Sequence, residues 1–123
     1  MSAHYDDVLL VEDDETLSRI IDRNLTSRGV VVRRASSVRE ALSAVADRHP
    51  QALLLDIELP DRTGWDLLRS LHASGIDLPT ILITATRVTA ERLAEFRPVA
   101  YVPKPFPLDC LLRLVVGDDL GRK

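Results

Sequence analysis

Four apolar runs in this chain each stop at residues capable of chemistry. Glu12 and Asp13 follow Val8 to Val11, Asp56 follows Ala52 to Leu55, Thr84 follows Thr80 to Ile83, and Lys104 follows Val99 to Pro103. If the runs are parallel strands, three acids, a hydroxyl and an amine gather at one sheet edge, where open α/β sheets bind their ligands. Three carboxylates so close repel and cannot all stay ionised without a counter-charge. A hard divalent cation supplies it, since magnesium prefers oxygen ligands and is commonly held by one or two carboxylates plus phosphate oxygens. Lys104 adds a cation of the kind that meets phosphate, and Thr84 a short hydroxyl that can donate to a phosphoryl oxygen. The combination points to phosphoryl transfer, with a carboxylate as the nucleophile that forms an acyl phosphate.

Taken singly, these residues have plainer readings. An acidic pair after a strand often serves the next helix, and Asp14 or Glu15 could cap or complement its dipole. A lone Lys104 reads as a solvated surface lysine, and a lone Thr84 as a β-branched strand residue. Asp56 ending an all-leucine strand is harder to set aside, because it faces desolvation unless something pairs with it. The arrival of all of them at one strand edge shifts the weight to function.

The elements that must position this edge alternate between short apolar runs and segments of helical period, the pattern of a parallel sheet with crossover helices. Leu17, Ile20, Ile21 and Leu25 recur at helical spacing after the first strand, and Gly29 supplies the stop. Val30 to Val32 reads as strand two. Ser37 with Glu40 has capping-box spacing and opens a helix with the stripe Val38, Ala41, Leu42 and Val45, closed by Pro50. Ala52 to Leu55 is strand three, its unbroken apolar run implying burial on both faces. A loop from Pro60 to Gly64 precedes a helix with Leu67, Leu68 and Leu71 on one face, ending at Ser74 and Gly75. Strand four follows Pro79. Only Thr89 to Phe96 is then available before Pro98, about two turns at ~3.6 residues per turn, so helix four is expected to be short or frayed. Val99 to Val102 is strand five, and Leu108, Leu111, Leu112 and Val115 stripe a last helix before Gly117. Residues 1–117 form one domain and 118–123 a polar C-terminal tail.

With 123 residues, 46% apolar content, 28% charged content and a formal charge of −3, the chain describes one globular domain and lacks the basic balance of a nucleic-acid-binding surface. One cysteine cannot build a disulfide framework, and no run approaches the ~18 apolar residues of a membrane span. No charged start and apolar core resemble a signal peptide, so the expectation is cytoplasmic, with neither membrane nor direct nucleic-acid contact.

The set Val11-Glu12-Asp13-Asp14, Asp56 to Pro60 with Gly64, Ile83-Thr84-Ala85 and Lys104-Pro105-Phe106 resembles the receiver (response regulator) domains of two-component signalling, over essentially the whole chain. The resemblance implies a single-domain α/β fold of flavodoxin type, a doubly wound five-stranded parallel sheet of order 2-1-3-4-5 with helices on both faces. It implies Asp56 as phosphate acceptor, with Mg²⁺ or Mn²⁺ held by Asp13 directly, by Asp56, by Glu12 largely through bound water, and by the main-chain carbonyl of Glu58. Thr84 becomes the switch hydroxyl, Lys104 the ion-pair partner of the phosphoryl group, and Tyr101 the aromatic that changes rotamer with Thr84. Glu58 and Thr86 flank the path of a hydrolytic water and set phosphate lifetime. The Lys104-Pro105 bond is implied to be cis.

The partners implied are a sensor histidine kinase or histidine phosphotransfer protein as donor, and a fused or separate effector domain downstream of helix four, strand five and helix five. A weak or phosphorylation-dependent dimer is compatible with such a surface. Beyond taking a phosphoryl group from phosphohistidine and dephosphorylating itself, the chain is not expected to be an enzyme. From Thr84 to Lys104 it looks about two residues shorter than usual receivers, and Arg97 to Ala100 replaces the usual Gly-Ala pair, so an altered dimerisation face is expected at helix four. Cys110 is expected on the outer side of the last helix, as an indifferent residue or, with Leu114, part of a partner patch. Trp65 is expected to pack, or to report metal binding. His4, His49 and His72 show no ligand spacing. A rival reading is an aspartate-nucleophile phosphatase, since Asp56-Ile57-Glu58 loosely resembles the Asp-x-Asp of haloacid-dehalogenase-like hydrolases. The second aspartate and a cap domain are missing from it. A third reading is a receiver-like module that has lost phosphorylation.

Overall fold

The computed structural model describes residues 5–117; His4 and the expected polar tail at 118–123 lie outside the described residues. Strands β1 (Asp7–Val11), β2 (Val31–Ala35), β3 (Ala52–Leu55), β4 (Thr80–Thr84) and β5 (Ala100–Pro103) alternate with helices α1 (Glu15–Thr26), α2 (Val38–Asp47), α3 (Gly64–Ala73), α4 (Ala90–Phe96) and α5 (Leu108–Val116). The strands form one parallel sheet, as the alternation predicts, and its order β2-β1-β3-β4-β5 is the one the family resemblance implies.

Successive strand residues point to opposite faces, so the sheet has two cores. Val8, Leu10 and Leu54 pack with Ile21 and Leu25 of α1 and Leu111, Leu112 and Val115 of α5. Leu9, Val11, Leu53 and Leu55 pack with Val38, Ala41 and Val45 of α2 and Leu67, Leu68 and Leu71 of α3. Leu53, Leu54 and Leu55 are fully buried, which explains why β3 carries no polar residue until Asp56.

The starts of α1, α2 and α4 are capped by side chains, whereas α5 follows Pro107 without a side-chain cap. Asp14 accepts from Leu17 N, Ser37 from Glu40 N and Thr89 from Arg92 N. After α1 the chain turns through Gly29, whose φ of 87° lies in the left-handed region that glycine adopts without strain.

Several local expectations shift. β2 runs Val31–Ala35 in place of Val30 to Val32, so it includes Arg33 and Arg34; as an edge strand it is incompletely covered, and an apolar run does not mark its extent. β5 starts one residue late, with Val99 exposed although its N–H still bonds Thr80. Ile20 is 45% exposed, because the buried face of α1 centres on Ser18, Ile21 and Leu25. The Ser37–Glu40 capping box is half formed: Glu40 turns its carboxylate to Ser36 N and Oγ. Helix α4 is short, as expected, with no buried residue, and ends at Arg97 with φ 49°.

Candidate functional site

The strand register brings the polar terminators together. Val11 pairs with Leu55, so Glu12 and Asp56 leave the sheet side by side, tied by Asp56 N to Val11 O at 2.9 Å. Thr84 pairs with Pro103, and Lys104 N donates to Thr84 O at 3.0 Å, which delivers the lysine to the same edge. Its ammonium lies 2.9 Å from Asp56 Oδ2 and 2.8 Å from Glu12 Oε1. Asp56 and Glu12 are 3% and 2% exposed, Asp13 is exposed, and Lys104 is half-buried. The Lys104-Pro105 peptide bond is cis.

These neighbours set the charges. Burial pushes the Glu12 carboxyl above the usual range, offset in part by Lys104 and by the Asp14 N–H at 3.0 Å. Burial works against the Lys104 ammonium, yet its hydrogen bonds to Asp56 and Glu12 prevail and hold its pKa above the ordinary lysine value. Lysine is therefore the fixed cation of the site, with two buried carboxylates as its counter-ions.

Glu12, Asp13 and Asp56 each present a carboxylate oxygen within 4.8 Å of the others. An all-oxygen donor set with more negative charge than one lysine can neutralise suits a hard cation such as Mg²⁺. The third acid, Asp13, is the exposed one, which leaves the set open toward solvent.

The segment after Asp56 is closely held. Glu58 N donates to Asp56 Oδ1 at 3.0 Å, Glu58 bridges Thr63, and Gly64 N donates to Ile57 O at 2.7 Å. Gly64 sits so near the strand end that an added Cβ would lie 2.7 Å from the Asp56 carbonyl oxygen. Thr63 and Asp66 then cap α3 reciprocally. The Glu58 side chain is exposed.

Thr84 is fully buried, and its Oγ1 accepts from Thr86 N at 3.2 Å. Tyr101 is half-buried against the α2/α3 side of the core, and its hydroxyl donates to Thr86 O at 3.4 Å. Both residues thus bond the main chain of Thr86, whose own hydroxyl is buried without a partner.

Other singled-out residues lie apart. Trp65 packs, 7% exposed, stacked on Phe96 of α4 at 5.0 Å between centroids. Cys110 is exposed, while Leu114 is half-buried against the core. His49 is exposed, and His72 lies beside Phe96. Sequence reasoning missed the reciprocal Thr63/Asp66 cap, although its spacing is readable. It also missed Asp61, which reaches α2 across the fold.

The family model described as "Response regulator receiver domain" matches residues 8–116. The response regulator MprA of Mycolicibacterium vanbaalenii is 37% identical over 107 residues, covering 85% of this chain and 46% of the relative. The chain thus spans about half the length of the curated relatives it matches. The non-phosphorylated HemR receiver domain of Leptospira biflexa superposes with a TM-score of 0.78 at 34% identity, over 85% of this chain and 86% of that one. The response regulator TrrA of Thermotoga maritima, in complex with Mg²⁺-BeF, superposes with a TM-score of 0.73 at 26% identity, over 85% and 90% of the two chains.

Proposed function

The chain belongs to the response regulator receiver domain family, and from that premise we propose that residues 1–117 form a phosphoacceptor that takes a phosphoryl group onto Asp56 and relays it as a change of surface. The observation that carries this reading is the Lys104 ammonium 2.9 Å from Asp56 and 2.8 Å from Glu12 at the carboxyl ends of three strands.

In the transfer, one Asp56 carboxylate oxygen attacks the phosphorus of a phosphohistidine on a sensor kinase or phosphotransfer protein. The O–P bond forms as the P–N bond breaks, and the electron pair leaves on the imidazole nitrogen. Lys104 stays charged throughout and stabilises the phosphoryl oxygens. The Glu58 N–H holds one Asp56 oxygen, which fixes the orientation of the nucleophile. Glu12, Asp13, Asp56 and the Glu58 main-chain carbonyl would hold Mg²⁺ or Mn²⁺, which supplies further positive charge to the transferring oxygens. Beside Lys104 an open cleft of about 560 Å³, lined by Leu17, Ile20, Phe106 and Leu108 among others, offers the donor an apolar approach and gives the exposed Ile20 a role.

The output follows from Thr84. A phosphoryl oxygen on Asp56 competes for its hydroxyl against the 3.2 Å bond from Thr86 N, and Tyr101 shares that same peptide segment through Thr86 O. Movement of Thr84 therefore reaches β5 through Tyr101, and the face of α4, β5 and α5 shifts between two populations read by a fused or separate effector domain. Glu58 and Thr86 tune phosphate lifetime. A weak or phosphorylation-dependent dimer on that face is altered by the shortened α4. Among the described residues no helix is long and apolar enough to cross a membrane; direct nucleic-acid contact is not part of this reading, and its compartment is the cytoplasm.

Stoichiometry tests the reading against a phosphatase. Incubation with phosphoramidate and Mg²⁺ is expected to label the chain once, with slow release of phosphate; sustained turnover of a phosphomonoester would favour the aspartate-nucleophile hydrolase.

A further inference from the structure

The loop carrying Glu58 is fastened to a second element by a single side chain. Asp61 Oδ1 accepts from Val38 N at 2.9 Å and Asp61 Oδ2 accepts from Arg39 N at 3.0 Å, so its two oxygens occupy the first two free N–H groups of α2. These residues are 23 and 22 positions away, and the bonds are not needed to start the helix, because Ser37 Oγ already accepts from Glu40 N. The same N–H groups, from Arg39 first and then Val38, hold the Asp61 carboxyl below the usual aspartate range.

The rest of the loop makes the consequence specific. At one end Glu58 N bonds Asp56 Oδ1; at the other Gly64 N bonds Ile57 O, with the Glu58–Thr63 bridge between. Asp61 stands at the turn of this closed loop, three residues after Glu58. A carboxylate that accepts two main-chain N–H bonds from a rigid helix fixes the turn relative to the sheet, much as groups behind metal ligands fix their orientation.

Resting on the receiver reading above, we propose that Asp61 is a positioning residue for the cation site: by anchoring the 57–63 loop to the N-terminus of α2, it fixes the main chain of Glu58 beside Glu12, Asp13 and Asp56. Asparagine at this position keeps one acceptor oxygen and so one of the two anchors, whereas alanine keeps neither.

The test is Mg²⁺ binding by calorimetry to the wild-type chain and to Asp61→Ala, Asp61→Asn and Ser37→Ala, with amide exchange read at Val38, Arg39 and the loop. Asp61→Ala is expected to bind Mg²⁺ roughly tenfold more weakly, the lower end of what loss of a supporting group costs a metal site. Asp61→Asn is expected between it and wild type. Ser37→Ala loosens α2 without touching the loop and is expected to leave Mg²⁺ affinity unchanged. Wild-type affinity in Asp61→Ala, or a loss in Ser37→Ala equal to that in Asp61→Ala, would overturn the proposal, the latter because the effect would then pass through helix stability. A wild-type chain that binds no Mg²⁺ would instead overturn the receiver reading beneath it.

Discussion

Asp56 at the end of β3 accepts a 2.9 Å hydrogen bond from Lys104, a residue 48 positions later at the end of β5. The bond joins two strands that are not neighbours, since β4 lies between them. Removing the lysine leaves buried Asp56 and Glu12 facing one another without their shared cation. Lys104→Ala is expected to lower stability in metal-free buffer by about 1–3 kcal/mol, the cost of buried acceptors left unpaired. Urea unfolding with and without Mg²⁺ checks this, with a smaller deficit expected when Mg²⁺ is present. Equal deficits would indicate that the ion does not share these carboxylates.

Gly64 offers a second test, because what an added methyl would meet is backbone. Its Cβ would lie 2.7 Å from the Asp56 carbonyl oxygen and 3.0 Å from Ile57 Cα, neither of which can rotate away. Gly64→Ala is expected to cost about 1–3 kcal/mol, the usual range for overpacking. It should also slow phosphoryl uptake, since relief of the clash pushes on the residue that carries the nucleophile. Thermal unfolding together with the labelling rate separates the two effects.

Helix α4 depends on Phe96. It buries none of its residues fully, and Phe96 is held by the Trp65 ring at 5.0 Å and by the Arg69 guanidinium 5.4 Å from its centroid. Phe96→Ala is expected to speed amide exchange across Ala90–Phe96 about tenfold or more, matching loss of a stack worth ~0.5–1.5 kcal/mol beyond its buried area. Exchange in α3 should change little. Trp65 fluorescence should shift with the same substitution, because Phe96 is its stacking partner.

Acid should act first on the helix starts. Glu40, Asp61 and Asp66 all titrate below the usual carboxylate range, each held there chiefly by a main-chain N–H: from Ser36, Arg39 and Thr63 respectively. A lowered folded pKa contributes stability that is complete above the unfolded value of about 4 and is lost as pH falls through the folded one. Stability is therefore expected to hold steady between about pH 7 and 5 on account of these groups and to decline below about pH 4. Replacing Asp61 by Asn should flatten that decline, as measured by urea midpoints across the range.

Much of the fold and of the site is legible in the chain because the relevant signals are local. The wholly apolar β3, the stripes of α2 and α3 and the terminators Glu12, Asp56, Thr84 and Lys104 announce a buried parallel sheet with a polar edge. The extent of the edge strand β2 is not legible in the same way, since it carries Arg33 and Arg34, which follow no apolar rule. Ile20 falls on the wrong side of α1 because helical spacing identifies a stripe without fixing which flank meets the sheet. Asp61 is invisible for a different reason: its partners at Val38 and Arg39 are main-chain groups 23 and 22 positions away, and only the folded loop brings it to them.

Asp56 as the phosphoryl acceptor is tested by site-resolved mass analysis after incubation with acetyl phosphate or phosphoramidate. The expected result is a gain of one phosphoryl group that requires Mg²⁺, maps to Asp56, and is absent from Asp56→Ala. An equal adduct on Asp56→Ala would contradict it by placing the phosphoryl group elsewhere, and no adduct with or without metal would contradict it and leave a receiver fold that works without phosphorylation.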